Sequence, residues 1–144
     1  MHLRELEIRY RTREELPIPI SLESPAAVAP VITQLLDREI VEVFGILCLN
    51  TRHAALCSHL VSRGGLDATV VHPRDVFRAC ILAGAAAVIL YHNHPSGDPT
   101  PSRDDAVLTR RMVTAGDLVG ITVIDHIIIG SHDRYYSFKE AGRM

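Results

Sequence analysis

Lysine is almost absent from this chain: Lys139 is the only one, and arginine carries the rest of the positive charge. Fifteen Lys and Arg residues face 17 Asp and Glu, so the formal net charge is −2. With no basic excess, nucleic acid is not expected as a partner, nor is an anionic membrane, because neutralising phosphates takes a cluster of cations. Long hydrophobic runs are missing too. The longest, Ala79 to Tyr91, falls short of the about 20 residues that cross a bilayer and is broken by Gly84. Met1-His2-Leu3-Arg4-Glu5 has no apolar core of a signal peptide. Cysteine is scarce: Cys48, Cys57 and Cys80 are odd in number, lie in apolar stretches and form no Cys-x-x-Cys. That pattern excludes a disulfide framework, a thiolate zinc ribbon and a redox dithiol. Buried free thiols and a cytoplasmic location are expected.

What remains is ordinary for one packed domain: 144 residues, 47% hydrophobic and 22% charged, too apolar for disorder. Leu6, Ile8 and Tyr10 alternate with charged residues, as in a half-buried first strand. Leu16 to Ile20, with two prolines, is expected to be an extended connector. Ser24-Pro25 has the form of an N-cap followed by a first-turn proline, and Val28, Val31, Ile32, Leu35 and Leu36 then give a helical stripe. Val41–Leu49 is predicted as a buried strand, turning at Thr51-Arg52-His53 into a second over Ala54–Leu60. Asp67–Val71 is a candidate third short strand. His72-Pro73 opens a helix that Gly84 ends, and Ala86–Tyr91 is the next strand. Three prolines and a glycine over His92–Pro101 forbid helix and strand alike. A helix from Ser102 to near Gly116 or Gly120, a strand over Ile121–Ile129 and a short one over Tyr135–Phe138 complete the pattern. Strands interleaved with helices predict a single α/β domain with a mixed sheet and one hairpin.

The eight histidines are the unusual component. His92 and His94 stand two apart at a strand end, where positions i and i+2 share a face, so both imidazoles can converge on one ion. Asp105 follows in the first turn of the next helix. Two imidazoles and a carboxylate make a three-ligand zinc site that leaves the fourth position for water, the layout of a catalytic centre. Spacing alone leaves alternatives. Asp104 or Asp98 could replace Asp105, and Ser102-Arg103-Asp104-Asp105 also satisfies a capping box. Glu42, at the mouth of the buried strand, is either solvated or poised over the sheet edge. In the second case it could act as general base toward a water whose pKa zinc lowers to about 7, and Ser102 could donate to an oxyanion. Asp125 and His126 are candidates for orienting a zinc ligand, against a purely structural role. Arg110-Arg111 reads as a solvated helix face, and His72 as the residue that leads into its helix.

Glu42 with Gly45, then His92-x-His94, seven residues, Ser102, two more and Asp105, resembles the JAMM motif of JAB/MPN+ metalloproteases. The flanking His94-Pro95-Ser96-Gly97-Asp98-Pro99, Val71-His72-Pro73-Arg74, Asp125-His126-Ile127-Ile128-Ile129-Gly130 and Tyr136-Ser137-Phe138 resemble its RadC branch, over about residues 40–142. The resemblance implies a three-layer JAB/MPN-like domain of cytidine-deaminase-like architecture over a 41–144 core, on which the strand and helix read from the pattern of residues 1–40 are expected to pack. It further implies one zinc per chain on His92, His94 and Asp105, water activation by Glu42 and oxyanion stabilisation by Ser102. The implied chemistry is hydrolysis of peptide or isopeptide bonds, in a protein or peptide substrate such as a ubiquitin-like conjugate. A DNA-repair role and a non-catalytic interaction module are the competing expectations, and an oligomer is compatible with all three. RadC proteins also carry an N-terminal helix-hairpin-helix region. Only about 40 residues precede the core here, and they contain no Gly-rich hairpin, so a stand-alone JAB protein is expected.

Overall fold

A computed structural model describes residues 3–12, 21–37, 39–64 and 71–144. Within them the order is α1 (Pro25–Leu35), β1 (Val43–Leu49), β2 (Ala55–Arg63), α2 (Pro73–Leu82), β3 (Ala87–Asn93), α3 (Arg103–Val119), β4 (Thr122–Ile129) and β5 (Tyr135–Ser137). The strands form one sheet in the order β2-β1-β3-β4-β5. β1 runs antiparallel to both β2 and β3, β3 and β4 are parallel, and β5 returns antiparallel to β4. The expected mixed sheet is therefore present, with the β1–β2 hairpin and a second hairpin joining β4 to β5.

Every residue of β1 and β3 is buried, as their unbroken apolar runs require of central strands covered on both faces. Val43, Leu47, Leu49, Ala87, Ile89 and Tyr91 pack on one face against Val28, Val31 and Ile32 of α1. Phe44, Ile46, Cys48, Val88 and Leu90 pack on the other, against Val76, Phe77 and Cys80 of α2 and Leu108 and Met112 of α3. Helices on both faces give three layers. Local signals fix the helix ends: Ser24 caps α1 by accepting the Ala27 N–H at 3.2 Å, His72 caps α2 through Nδ1, and left-handed Gly120 closes α3. Among the described residues no helix is long and apolar enough to cross a membrane.

Two expectations are corrected. Residues 3–12 form no strand; Leu6, Ile8 and Tyr10 are 77%, 51% and 63% exposed. Alternation makes a strand only where backbone pairing forms, and this segment pairs with neither edge strand, β2 or β5. Tyr10 is instead tied by its hydroxyl, which donates to the Ala83 carbonyl at 2.9 Å. The strand expected to stop at Tyr91 continues through His92 and Asn93, because β1 and β4 offer partners there (Phe44 and Ile128 for His92, Ile129 for Asn93). The prolines begin to matter only at Pro95. The connector at Leu16–Ile20 and nearly all of the short strand at Asp67–Val71 fall outside the described residues; Val71 itself is a buried bend.

Gly45 sits opposite Tyr91 in the β1–β3 ladder, and a Cβ there would overlap the fully buried Tyr91 ring. Gly45→Ala is expected to cost about 1–3 kcal/mol through overpacking, read from the midpoint of denaturant unfolding. A midpoint equal to wild type would show that Tyr91 moves aside freely.

Candidate metal centre

Because β1 is antiparallel to β3, the start of β1 and the end of β3 meet at one edge of the sheet, the carboxyl end of the parallel β3–β4 pair. Ligand sites in α/β folds form at such ends. α3 begins over the same edge. Alternation along β3 puts His92 and His94 on the α2/α3 face, and Glu42 precedes β1 on the strand opposite. His92 Nε2 and His94 Nε2 lie 3.0 Å apart. The Asp105 carboxylate closes the triangle, with Oδ1 3.3 Å from His92 Nε2 and Oδ2 3.3 Å from His94 Nε2. Glu42 presents a carboxylate oxygen within 4.8 Å of nitrogen donors of both histidines. Two carboxylates, Asp105 and Glu42, thus approach the histidine pair.

A relay of hydrogen bonds sets which nitrogen carries each proton. Thr109 Oγ1 donates its only proton to the Asp105 carbonyl at 2.7 Å. It must therefore accept from His126 Nδ1–H, 2.6 Å away. Burial, with the neighbouring His92 adding to it, pushes the His126 pKa well below its ordinary value, so this ring is neutral and its Nε2 is an acceptor. His92 Nδ1–H then donates to His126 Nε2 at 2.8 Å, leaving the His92 Nε2 lone pair facing Asp105. His94 Nδ1–H donates to the Asp98 carbonyl at 2.8 Å, which turns Nε2 of that ring inward as well. Two imidazole lone pairs 3.0 Å apart beside a carboxylate require a positive charge between them, either a proton or a metal ion.

The donor set fits zinc. The approaches of 3.0, 3.3 and 3.3 Å are close to the edge of about 3.3 Å in a tetrahedron of ligands at about 2.0–2.1 Å. Of the three aspartates that spacing allowed, only Asp105 reaches the histidines. Asp98 turns its carboxylate to the Thr100 N–H and hydroxyl, and Asp104 is exposed. The capping box also forms: Ser102 Oγ accepts the Asp105 N–H at 3.0 Å, and Asp105 Oδ2 accepts the Ser102 N–H at 2.8 Å. Capping thus locks the Asp105 carboxylate in place, and Ser102, used as an acceptor, keeps its hydroxyl proton for donation.

His126 lies directly behind His92, stacked on Phe138 at 5.1 Å. Asp125 does not join it. Its carboxylate accepts from Ser137 Oγ at 2.6 Å, Lys139 N at 3.0 Å and His126 N at 2.7 Å, holding the β4–β5 corner together. Thr109 went unnoticed in the sequence, although it sits one turn beyond Asp105 on the same helix face. Arg134 was missed as well. With the Ser131 N–H it grips the Gly97 carbonyl at 2.8 Å, fixing the loop whose next carbonyl orients His94. Gly97 suits this place: φ is +86° and a Cβ would meet Ser131.

Without metal, the Asp105 hydrogen bond raises the His94 pKa above its ordinary 6.5. Burial opposes ionisation of Asp105, but its close contacts with the His92 and His94 rings outweigh that and hold it well below the usual carboxylate range. The stabilisation from His94 is therefore complete below pH 6.5 and lost as pH rises through the raised value. That from Asp105 is lost only in strong acid. Melting temperature in chelator should fall as pH rises from about 6.5, whereas the gain on adding zinc should grow, since the metal displaces the His94 proton. A zinc gain independent of pH would contradict this. His126→Phe keeps an aromatic ring against Phe138 but removes the acceptor for His92, and should weaken zinc binding about 10–100-fold in a chelator competition. Unchanged affinity would show that His126 only fills space.

Comparison with known proteins agrees with the geometry. The family model for the RadC-like JAB domain matches residues 22–143. A UPF0758 protein of Thermotoga maritima is 42% identical over 142 residues, 96% of this chain and 62% of that protein. One from Methanosarcina barkeri is 52% identical over 101 residues, 70% of this chain and 44% of its own length. One from Listeria welshimeri is 48% identical over 101 residues, 70% of this chain and 45% of its own. The chain spans about half the length of such relatives, whose names state no activity. A three-layer fold, two strand-end histidines met by a helix-capping aspartate, and a family match over most of its length place this chain in the RadC-like JAB domain family.

Proposed function

We propose that this chain is a zinc-dependent hydrolase of peptide or isopeptide bonds, with His92, His94 and Asp105 holding the metal. The observation that carries the reading is the pair of inward-facing Nε2 atoms 3.0 Å apart, both beside the Asp105 carboxylate. Bound there, zinc supplies Lewis acidity and makes water nucleophilic near neutral pH. The chain's own residues do the rest. Glu42, the carboxylate that reaches the histidine pair from just before β1, takes a proton from the attacking water and passes it to the departing nitrogen. Ser102, at the mouth of α3, donates its hydroxyl to the oxygen that gains charge at the scissile carbonyl. The N-terminus of α3 adds a favourable field for that charge. The substrate is a protein or peptide, and a net charge of −2 gives no electrostatic reason to prefer nucleic acid.

Tag-free protein should carry one zinc per chain by elemental analysis, and Asp105→Ala should lose it. Glu42→Gln should keep zinc while slowing the release of new peptide termini, read by mass spectrometry on a proteome-derived peptide mixture, by about 10²–10⁴-fold. Protein without zinc after zinc addition would sink the metal reading. A Glu42→Gln variant as fast as wild type would remove Glu42 as the base.

A further inference from the structure

Asn93 stands between the two histidines in sequence, but its buried side chain points to β1. Its Oδ1 accepts the Val43 N–H at 2.8 Å, and its Nδ2 donates to the Val41 carbonyl at 3.0 Å. These two bonds fall on either side of Glu42. The carbonyl of Glu42 itself accepts the Gly64 N–H at 2.8 Å. The need for the carboxamide follows from the topology. After Asn93 the chain turns away from β1, and the His94 N–H pairs with Ile129 of β4 instead. The β1 backbone at Val41 and Val43 would then lose its neighbour. A carboxamide offers one acceptor and donors on a planar group, as a peptide does, so Asn93 extends the ladder by a side chain.

We propose that Asn93 is a positioning residue for Glu42: it clamps the backbone before and after Glu42 so that the carboxylate stands over the His92/His94 pair. The inference rests on the reading of Glu42 as the base. Alanine removes both bonds; aspartate keeps an acceptor for Val43 but cannot donate to Val41 when ionised.

The test uses the full chain loaded with cobalt(II), as wild type, Asn93→Ala, Asn93→Asp, Glu42→Gln and the Asn93→Ala/Glu42→Gln double variant. Cobalt affinity should stay within about threefold of wild type throughout, since no ligand to the metal is touched. Hydrogen exchange at the Val43 amide should quicken at least about tenfold in Asn93→Ala, with Ile46 and Leu47 unchanged. The visible cobalt bands of Asn93→Ala should move in the direction seen for Glu42→Gln. Turnover should fall about 10–100-fold, as for a catalytic group displaced by about 1 Å. The double variant should be no worse than Glu42→Gln alone, because one residue acts through the other. If Asn93→Ala does not fold, Asn93→Asp is read in its place. Additive losses, or cobalt bands and turnover like wild type in both Asn93 variants, would overturn the inference. A wild-type chain that takes up no cobalt would instead overturn the metal reading, while Val43 exchange would still report on the clamp.

Discussion

The positive charge that His92 and His94 require is the constraint on which the rest of the site depends. Each ring spends its Nδ1 proton outward, His92 on His126 and His94 on the Asp98 carbonyl. Their Nε2 atoms are left facing one another 3.0 Å apart, where a proton or a metal ion can sit between them. In a low-dielectric pocket such an arrangement is costly unless a cation occupies it. Asp105 adds a formal negative charge at 3.3 Å from each ring, which favours a cation between them. A deep, rigid scaffold is needed to hold this arrangement.

That scaffold is the central pair of strands. β1 and β3 are buried along their whole length, and their antiparallel pairing brings a strand start and a strand end to the same edge. One edge therefore receives Glu42 from just before β1, His92 from β3 with His94 just after it, and Asp105 from the helix that follows. The supports come from further away. Thr109 and His126 brace His92 from α3 and β4, and Arg134, from the turn before β5, braces the loop behind His94. The capping box does two jobs with one set of atoms, since the bond that starts α3 also fixes the Asp105 carboxylate.

Much of this was legible in the sequence because it is local. Apolar runs marked β1 and β3, Ser24-Pro25 and Ser102 marked helix starts, and the i, i+2 spacing of His92 and His94 implied convergence. The choice of Asp105 over Asp98 and Asp104 was not legible from spacing, because it depends on how the proline loop folds back. The relay through Thr109 and His126 joins residues 17 and 34 positions apart, and no periodicity reports such bonds. Asn93 was hidden differently: an amide between two histidines looks like a spacer until β1 is laid beside it. The Leu6/Ile8/Tyr10 alternation misled for the converse reason, since a period of two says that a segment could pair, not that it does, and this one leaves both sheet edges unpaired.

The most direct measurement of the central claim is zinc K-edge X-ray absorption on the wild-type chain. Zinc on His92, His94 and Asp105 should show a first shell of nitrogen and oxygen only, at about 2.0–2.1 Å, with the outer-shell pattern of two imidazoles. A sulfur shell at about 2.3 Å, which would place the metal on Cys48, Cys57 or Cys80, or a spectrum without imidazole scattering, would contradict it.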